Sequence, residues 1–214
     1  MAINRPEPPP LASPKGREAI LDAATALFAQ HGYNDADTQA LAEKLGVGKG
    51  TLYRHFASKR ELFLAAVDRV MRRMRESIDA SIAEVDAPLE RMAEAIRAYL
   101  DFFASQPEYV ELLIQERALF RDREKPTYFE YRERNAVRWR ELYRSLMDEG
   151  RLREMPVERI SDVLSNLVYG TMFTNYFSGQ QKSSEEQSQD ILDVIFRGIL
   201  SDRERRLPED APGA

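Results

Sequence analysis

Residues 46–63 constrain this chain more than any other part of its sequence. Gly46 is placed to end one short helix, and Leu52 and Phe56 share one face of the helix that follows. Ser58 can cap a third helix directly after it. A short helix, a glycine turn and a helix that presents cations, hydroxyls and a phenol suit the major groove of DNA. The segment therefore predicts a DNA-reading helix-turn-helix.

The same segment resembles the DNA-binding signature of the tetracycline-repressor (TetR) family. The similarity covers residues 17–70, including residues 20–28 of the first helix, and it rests on these short matches: Gly32-Tyr33, Ala42-Glu43, Gly46-Val47, Lys49-Gly50-Thr51-Leu52-Tyr53, His55-Phe56 and Ser58-Lys59. The resemblance implies an all-helical, usually dimeric regulator with an N-terminal three-helix DNA-binding domain and a C-terminal helical domain for ligand binding and dimerisation. It also implies that residues 49–53 lie at the groove and backbone of DNA, and that Lys59 lies on a phosphate.

We predict that the second helix of the motif and positions flanking it contact DNA, through Thr38, Gln39, Gly48, Lys49, Gly50, Thr51, Tyr53, Arg54, His55 and Lys59. Three of these positions depart from the family, which often has an apolar residue at 38, a basic one at 39 and serine at 48. Glycine at an N-cap costs only a few tenths of a kcal/mol relative to serine. The departures bear on which DNA sequence is read. The alternative for His55 is an exposed surface histidine.

Charge is distributed unevenly along the chain. The formal net charge is −5, which by itself disfavours DNA binding. Residues 1–75 nevertheless carry 12 Lys and Arg against 8 Asp and Glu, while the remainder carries 19 against 28. Positive charge is concentrated in the end that contains the helix-turn-helix, as phosphate binding requires.

Proline and glycine divide the rest of the chain into helices. We expect residues 15–30 and 59–85 to be helical, and further helices to begin at Pro88, Pro107, Pro126 and Pro156. Residues 180–189 are interpreted as a polar loop before a final amphipathic helix. No strand or repeat is expected, so the fold class is all-α. The predicted domains are a disordered arm (1–14), the helix-turn-helix domain (15–62), a helical ligand-binding and dimerisation domain (63–201) and a flexible tail (202–214).

Residue composition argues against several other classes of protein. The chain has no cysteine and two histidines without ligand spacing, so we expect no metal, no cofactor and no catalysis. The glycine-rich segment 46–50 lacks the Lys-Ser/Thr ending of a phosphate-binding loop. No run approaches the length of a membrane span, and the Pro-rich N-terminus does not resemble a signal peptide. We expect a cytoplasmic protein that does not bind membranes.

A set of aromatic and polar residues in the second half of the chain has two interpretations. One is ordinary core packing. The other is a small-molecule pocket with apolar walls and a few polar fixing points. The candidate ligand-binding residues are Tyr99, Phe103, Asn135, Arg138, Trp139, Tyr143, Met172 and Tyr176.

The last two helices favour a subunit interface. The helix after Pro156 is apolar on nearly every side, so both of its flanks need cover, and the final helix also has a broad apolar face. Two such helices from each of two subunits would form a four-helix interface. The alternative is packing within one subunit. The candidate interface residues are Leu164, Leu167, Phe173, Ile195, Phe196 and Ile199.

The sequence therefore predicts a dimeric repressor that binds a palindromic double-stranded DNA operator and responds to a largely apolar small-molecule effector. A second hypothesis keeps the DNA-binding end but makes the body a protein-interaction module without a ligand. A third, a small helical enzyme, is weakened by the absence of a reactive constellation. A large closed cavity would favour the first hypothesis over the second.

Overall fold

A computed structural model describes residues 14–199, and these form nine helices with no strand among them. The helices are α1 (Pro14–Asp35), α2 (Thr38–Lys44), α3 (Lys49–His55), α4 (Lys59–Ser81), α5 (Pro88–Ser105), α6 (Glu108–Leu119), α7 (Thr127–Asp148), α8 (Val157–Ser178) and α9 (Ser184–Arg197). The predicted all-α class is confirmed. The predicted arm and tail lie outside the described residues, except that Pro14 is the first residue of α1.

The start and stop signals of the sequence act as expected at most helix ends. The Asp37 and Ser58 side chains cap α2 and α4 by accepting backbone N–H bonds from Gln39 and Glu61. Pro88 opens α5, while Pro126 and Pro156 are the N-cap residues of α7 and α8. These caps fix where each helix begins, and so which side chains it carries inward.

Three predicted boundaries were wrong. Helix α4 ends at Ser81 rather than near residue 85, and α1 continues past Gly32, whose φ of 74° kinks it before a last turn. The supposed loop at residues 180–189 contains the start of α9. There Ser183 accepts the N–H of Glu186, and the Glu186 carboxylate accepts the N–H of Ser183. This reciprocal capping box begins a helix in a polar sequence.

One hydrophobic core runs from the N-terminal helices into the body. At their junction, the ring of Phe63 lies 5.1 Å from Phe28, 5.2 Å from Tyr33 and 5.4 Å from Phe120. Helix α4 passes through the predicted domain boundary at 62/63, so a single rigid element belongs to both parts. In the body, α5 packs against α4, α8 and α9, and α7 packs against α4 and α8.

Candidate nucleic-acid interface and internal cavity

Helices α2 and α3 are held in a helix-turn-helix by a glycine turn. Gly46 has a φ of 69°, a left-handed conformation that suits glycine. Its N–H bonds to the carbonyl of Glu43, and the N–H of Val47 bonds to the carbonyl of Ala42. This pair of bonds is a Schellman motif, which satisfies the last carbonyls of α2 and turns the chain sharply.

Two apolar anchors orient α3. Leu52 is 0% exposed and Phe56 is 1% exposed, as their spacing predicted. The opposite surface presents Lys49, Gly50 and Arg54 to solvent, with Thr51 and Tyr53 half-buried beside them. His55, at the end of the helix, is also half-buried. Burial of two anchors thus leaves a helix face that carries two cations and two hydroxyls.

Thr38 does not lie on that exposed face. Its side chain is 6% exposed, and its hydroxyl lies 3.0 Å from the Tyr53 hydroxyl. In this position the Thr38 hydroxyl orients Tyr53, which remains half-buried at the edge of α3. Direct contact of Thr38 with DNA stays a prediction.

Gln39 and Lys59, two further predicted contacts, already bind other parts of the protein. The exposed Gln39 amide donates to the Glu43 carboxylate at 2.8 Å. Lys59 donates to the carbonyl of Asn34 at 3.0 Å, and its ammonium lies 5.1 Å from the centre of the Tyr33 ring. An ammonium has three donors, so Lys59 can fix the end of α1 and still offer a bond to a phosphate.

The remaining cations of the N-terminal half are mostly neutralised within the protein. Arg69 is 5% exposed and pairs with Glu18 and, at 2.5 Å, with Asp22. Arg73 also pairs with Asp22, at 2.6 Å, and Arg60 pairs with Asp122. These ion pairs join α4 to α1 and to the body. They also offset part of the positive charge that lies outside α3.

The body contains a partly open cavity of about 150 Å³ between α4, α5, α7 and α8. Its walls are largely apolar, and its polar groups come from tyrosines, serines, an amide and one guanidinium. The lining residues are Met71, Met74, Ile78, Met92, Ala95, Ile96, Tyr99, Tyr128, Arg132, Asn135, Ala136, Trp139, Tyr143, Ser161, Leu164, Ser165 and Val168. Apolar walls with a few convergent polar groups are the usual composition of a small-molecule site.

Half of the predicted ligand-binding residues line this cavity, namely Tyr99, Asn135, Trp139 and Tyr143. The other four make different contacts. Phe103 packs in the core beside Tyr99, and the Met172 sulfur accepts the Tyr99 hydroxyl at 3.2 Å. Exposed Arg138 donates to Asp79 at 2.7 Å, and Tyr176 donates to Glu111 at 2.7 Å. These four do not line the cavity, because periodicity gives the face of a helix but not the depth of a side chain, and their role in ligand binding stays a prediction.

The sequence interpretation missed the contribution of α4 to the cavity. Met71, Met74 and Ile78 form one wall, and Met92 extends it from α5. Met71, Met74 and Ile78 recur at helical spacing, which places them on one face of α4 but does not distinguish a cavity wall from core packing. Ser161 and Ser165 were missed because polar residues on an apolar helix are easily assigned to its solvent side.

The phenols at the cavity are neutral at physiological pH. The Tyr99 and Tyr128 hydroxyls lie 3.0 Å apart, and burial raises the pKa of both groups. Burial alone raises the pKa of Tyr143 to about 12. No hydrogen bond to the Tyr143 hydroxyl is present within residues 14–199. Neutral phenols offer O–H donors to a ligand.

A second surface is apolar and uncovered. On α8, Leu167 is 40% exposed and Phe177 69%; on α9, Phe196 is 41% exposed and Ile199, just beyond the helix, is 86% exposed. Phe173 and Ile195 are half-buried. Leu164, also predicted at the interface, is 5% exposed and lines the cavity.

A chain of hydrogen bonds joins α8 to the end of α1. Tyr176 donates to Glu111 at 2.7 Å, Glu111 accepts from the Gln115 amide at 2.9 Å, and Gln115 accepts the N–H of Tyr33 at 2.7 Å. All three links are partly buried. The uncovered surface is thus tied to the N-terminal domain through α6.

No helix between residues 14 and 199 is long and apolar enough to cross a membrane. Within the same range, no three or more His, Asp or Glu side chains come together where they could hold a metal ion.

An exposed, cation-bearing helix behind a glycine turn is the geometry of helix-turn-helix DNA-binding proteins. Residues 20–66 match the sequence model of a family described as bacterial regulatory proteins, tetR family. The chain is 29% identical over 99 residues to the HTH-type transcriptional activator FasR of Mycolicibacterium smegmatis, covering 46% of this chain and 45% of FasR. It is 28% identical over 197 residues to the HTH-type transcriptional repressor AcnR of Corynebacterium diphtheriae, covering 86% of this chain and 92% of AcnR.

A solved structure shares the whole helical architecture. The transcriptional regulator FadR from Bacillus subtilis, in complex with stearoyl-CoA, superposes with a TM-score of 0.69 at 20% identity, over 86% of this chain and 99% of that one. Residues 20–66 therefore match a tetR-family DNA-binding domain, and the chain aligns with AcnR along most of both chains. The match to FasR, in contrast, spans less than half of that protein.

Proposed function

We propose that this protein is a ligand-responsive transcriptional repressor that binds a palindromic DNA operator as a homodimer. The observation that carries the proposal is the arrangement of α3. Leu52 and Phe56 anchor this helix in the core, while its other face carries exposed or half-buried polar side chains, namely Lys49, Thr51, Tyr53 and Arg54. The similarity to the repressor AcnR supports the same direction of regulation.

In this proposal α3 enters the major groove. Thr51 and Arg54 are assigned to base edges or phosphates, since hydroxyls and guanidinium groups serve both. Lys49, Tyr53 and Lys59 are assigned to the backbone, where Thr38 holds the Tyr53 hydroxyl in place. A Cβ atom added to Gly48 or Gly50 would have no other atom within 4 Å, so the space beside both glycines is open to the DNA backbone.

The dimer is proposed to form through the uncovered faces of α8 and α9. Together they present Leu167, Phe177, Phe196 and Ile199 on adjoining helices. An isologous pairing of two helices from each subunit covers such a face and places two copies of α3 on one side of the molecule. Two half-sites then need a separation near one helical repeat, roughly 34–36 Å.

Effector binding is proposed to act through α4. The same helix contributes Met71, Met74 and Ile78 to the cavity wall and carries the Ser58 cap at the end of the helix-turn-helix. A ligand that prefers a displaced α4 wall shifts the population towards a spacing of the recognition helices that does not fit the operator. The hydrogen-bonded chain through Glu111 and Gln115 gives α8 a second connection to the same domain.

The hypothesis of a protein partner without a ligand is less well supported. The cavity of about 150 Å³ is smaller than the large closed cavity that would separate the two hypotheses, but its apolar walls and few polar groups have the composition of a small-molecule site. The solved relative FadR holds stearoyl-CoA. The match of residues 20–66 to a family of bacterial regulatory proteins also disfavours the enzyme hypothesis.

Selection of bound DNA from a random pool tests the proposed function. We expect a palindromic consensus, and an affinity that falls with salt. Lys49→Ala should lower the magnitude of the log–log salt slope by about one without changing the consensus. Arg159→Ala, which removes an exposed cation from α8, is the matched control and should change neither. Recovery of no consensus, or equal effects of both substitutions, would contradict the proposal.

A further inference from the structure

The cavity carries a single formal charge among the described residues that line it, and this charge is positive. Arg132 lines the cavity from α7, and no aspartate or glutamate is among the lining residues. The Arg132 side chain is 21% exposed, so it lies at the boundary between the cavity and solvent. A cationic ligand would meet repulsion there and find no carboxylate partner.

The guanidinium has donors to spare. One nitrogen, Nη1, donates to the Asn166 amide oxygen at 2.9 Å, and Nη2 lies 3.7 Å from Asp162, whose side chain is 61% exposed. An ion pair of this length with an exposed carboxylate contributes little to stability. An arginine has five N–H donors in a planar fork that fits a carboxylate. Further donors therefore remain for a ligand.

The rest of the polar lining also favours an acceptor group on the ligand. Ser161, Ser165, Asn135 and Tyr143 make no hydrogen bond within residues 14–199 through their side chains. Burial keeps the Tyr143 phenol protonated by raising its pKa to about 12. Hydroxyl and amide groups can each donate to an oxyanion.

The size of the cavity bounds the apolar part of the ligand. A volume of about 150 Å³ is below that of sites for drug-sized molecules, roughly 300–1,000 Å³, and is comparable to a cavity that holds benzene. Met71, Met74 and Met92 in its walls are unbranched and flexible. A single ring or a short chain fits the observed volume, and methionine rotamers allow some growth.

We propose that the effector is a small organic anion, with an apolar body of about one ring and a carboxylate that Arg132 binds. This inference rests on the proposed function, because it names the ligand class of that same cavity. Arg132 gives selectivity for charge, and the methionine and aromatic walls give selectivity for shape.

The chain provides its own reporter, since Trp139 is its single tryptophan and lines the cavity. We would titrate the DNA-free protein with benzoate, benzyl alcohol and benzylamine, which share a ring and differ in charge, and follow tryptophan fluorescence. Benzoate should bind most tightly and benzylamine least. Arg132→Gln should weaken benzoate binding about 10-fold or more, and benzyl alcohol binding less than about 2-fold.

Arg138→Gln is the matched control. Arg138 lies on the same helix, 5.4 Å from the Trp139 ring, but it binds Asp79 outside the cavity. Its substitution should leave all three affinities unchanged. If Arg132→Gln weakened the binding of all three probes equally, Arg132 would have a structural role rather than bind an anion, and the proposal would be overturned. A preference for the alcohol or the amine, or no response to any probe, would also overturn it. Because no DNA is present, these results are independent of operator binding.

Discussion

Tyr143 makes a titration test of the cavity wall possible at the scale of one residue. Its pKa is raised from 10 in the unfolded chain to about 12 by burial. Between these values the unfolded state loses a proton that the folded state keeps, so stability falls as pH rises from 10 to 12. Below pH 10 both states are protonated and this contribution is fully present.

We therefore expect Tyr143→Phe to lose less stability than the wild-type chain between pH 9 and pH 12, by about 2–3 kcal/mol. At pH 7 the substitution should be close to neutral, because the hydroxyl has no partner within the described residues. Urea unfolding at a series of pH values measures both quantities. Parallel pH curves for the two proteins would show that the phenol is solvated rather than enclosed.

At the scale of the helical elements, the two glycines that flank the α2–α3 turn have opposite requirements. Gly48 caps α3 with a φ of −72° and a ψ of 148°, a conformation open to any residue, and makes no side-chain cap bond. Gly46 has a φ of 69°. Neither would place a Cβ within 4 Å of another atom, so backbone conformation alone separates them.

We expect Gly48→Ser to stabilise the protein by a few tenths of a kcal/mol through a new N-cap bond, and Gly46→Ser to destabilise it by about 1 kcal/mol. Thermal unfolding of the two variants beside the wild-type chain gives the comparison. A destabilised Gly48→Ser variant would mean that the start of α3 differs from the conformation described.

Most of the element order followed from the sequence, because its signals are local. Asp37, Ser58 and Gly150 mark helix ends through their own hydrogen bonds or backbone angles. The start of α9 was missed, since the Ser183–Glu186 capping box was hidden in a polar run. The cavity was only half predicted because its lining depends on how α4, α5, α7 and α8 approach each other. Spacing within one helix does not contain that information.

At the scale of the whole molecule, the uncovered face of α8 and α9 predicts assembly. Leu167→Asp would bury an unpaired charge in the proposed interface, at a cost of about 3 kcal/mol or more. The monomer can expose the same charge to water, so we expect dissociation, together with a large loss of operator affinity. Mass measurement in solution shows the first effect and DNA titration the second.

Val137→Asp is the control for that experiment. Val137 is 58% exposed, but it lies on α7, away from the proposed interface. This variant should remain dimeric with normal operator affinity, and both variants should keep their helicity. A dimeric Leu167→Asp protein would place the interface on another surface.

The uninterrupted course of α4 has a mechanical consequence. Its 23 residues span roughly 35 Å, with the cavity wall near one end and the helix-turn-helix at the other. A displacement of α4 at Met71, Met74 and Ile78 is therefore transmitted along the helix to its N-terminal end. A tilt of about 5° at that end moves the far end by about 2–3 Å, several times the roughly 0.5 Å range over which a hydrogen bond holds. In the proposed mechanism, a ligand no larger than one ring thereby decides whether α3 fits a groove that the ligand never touches.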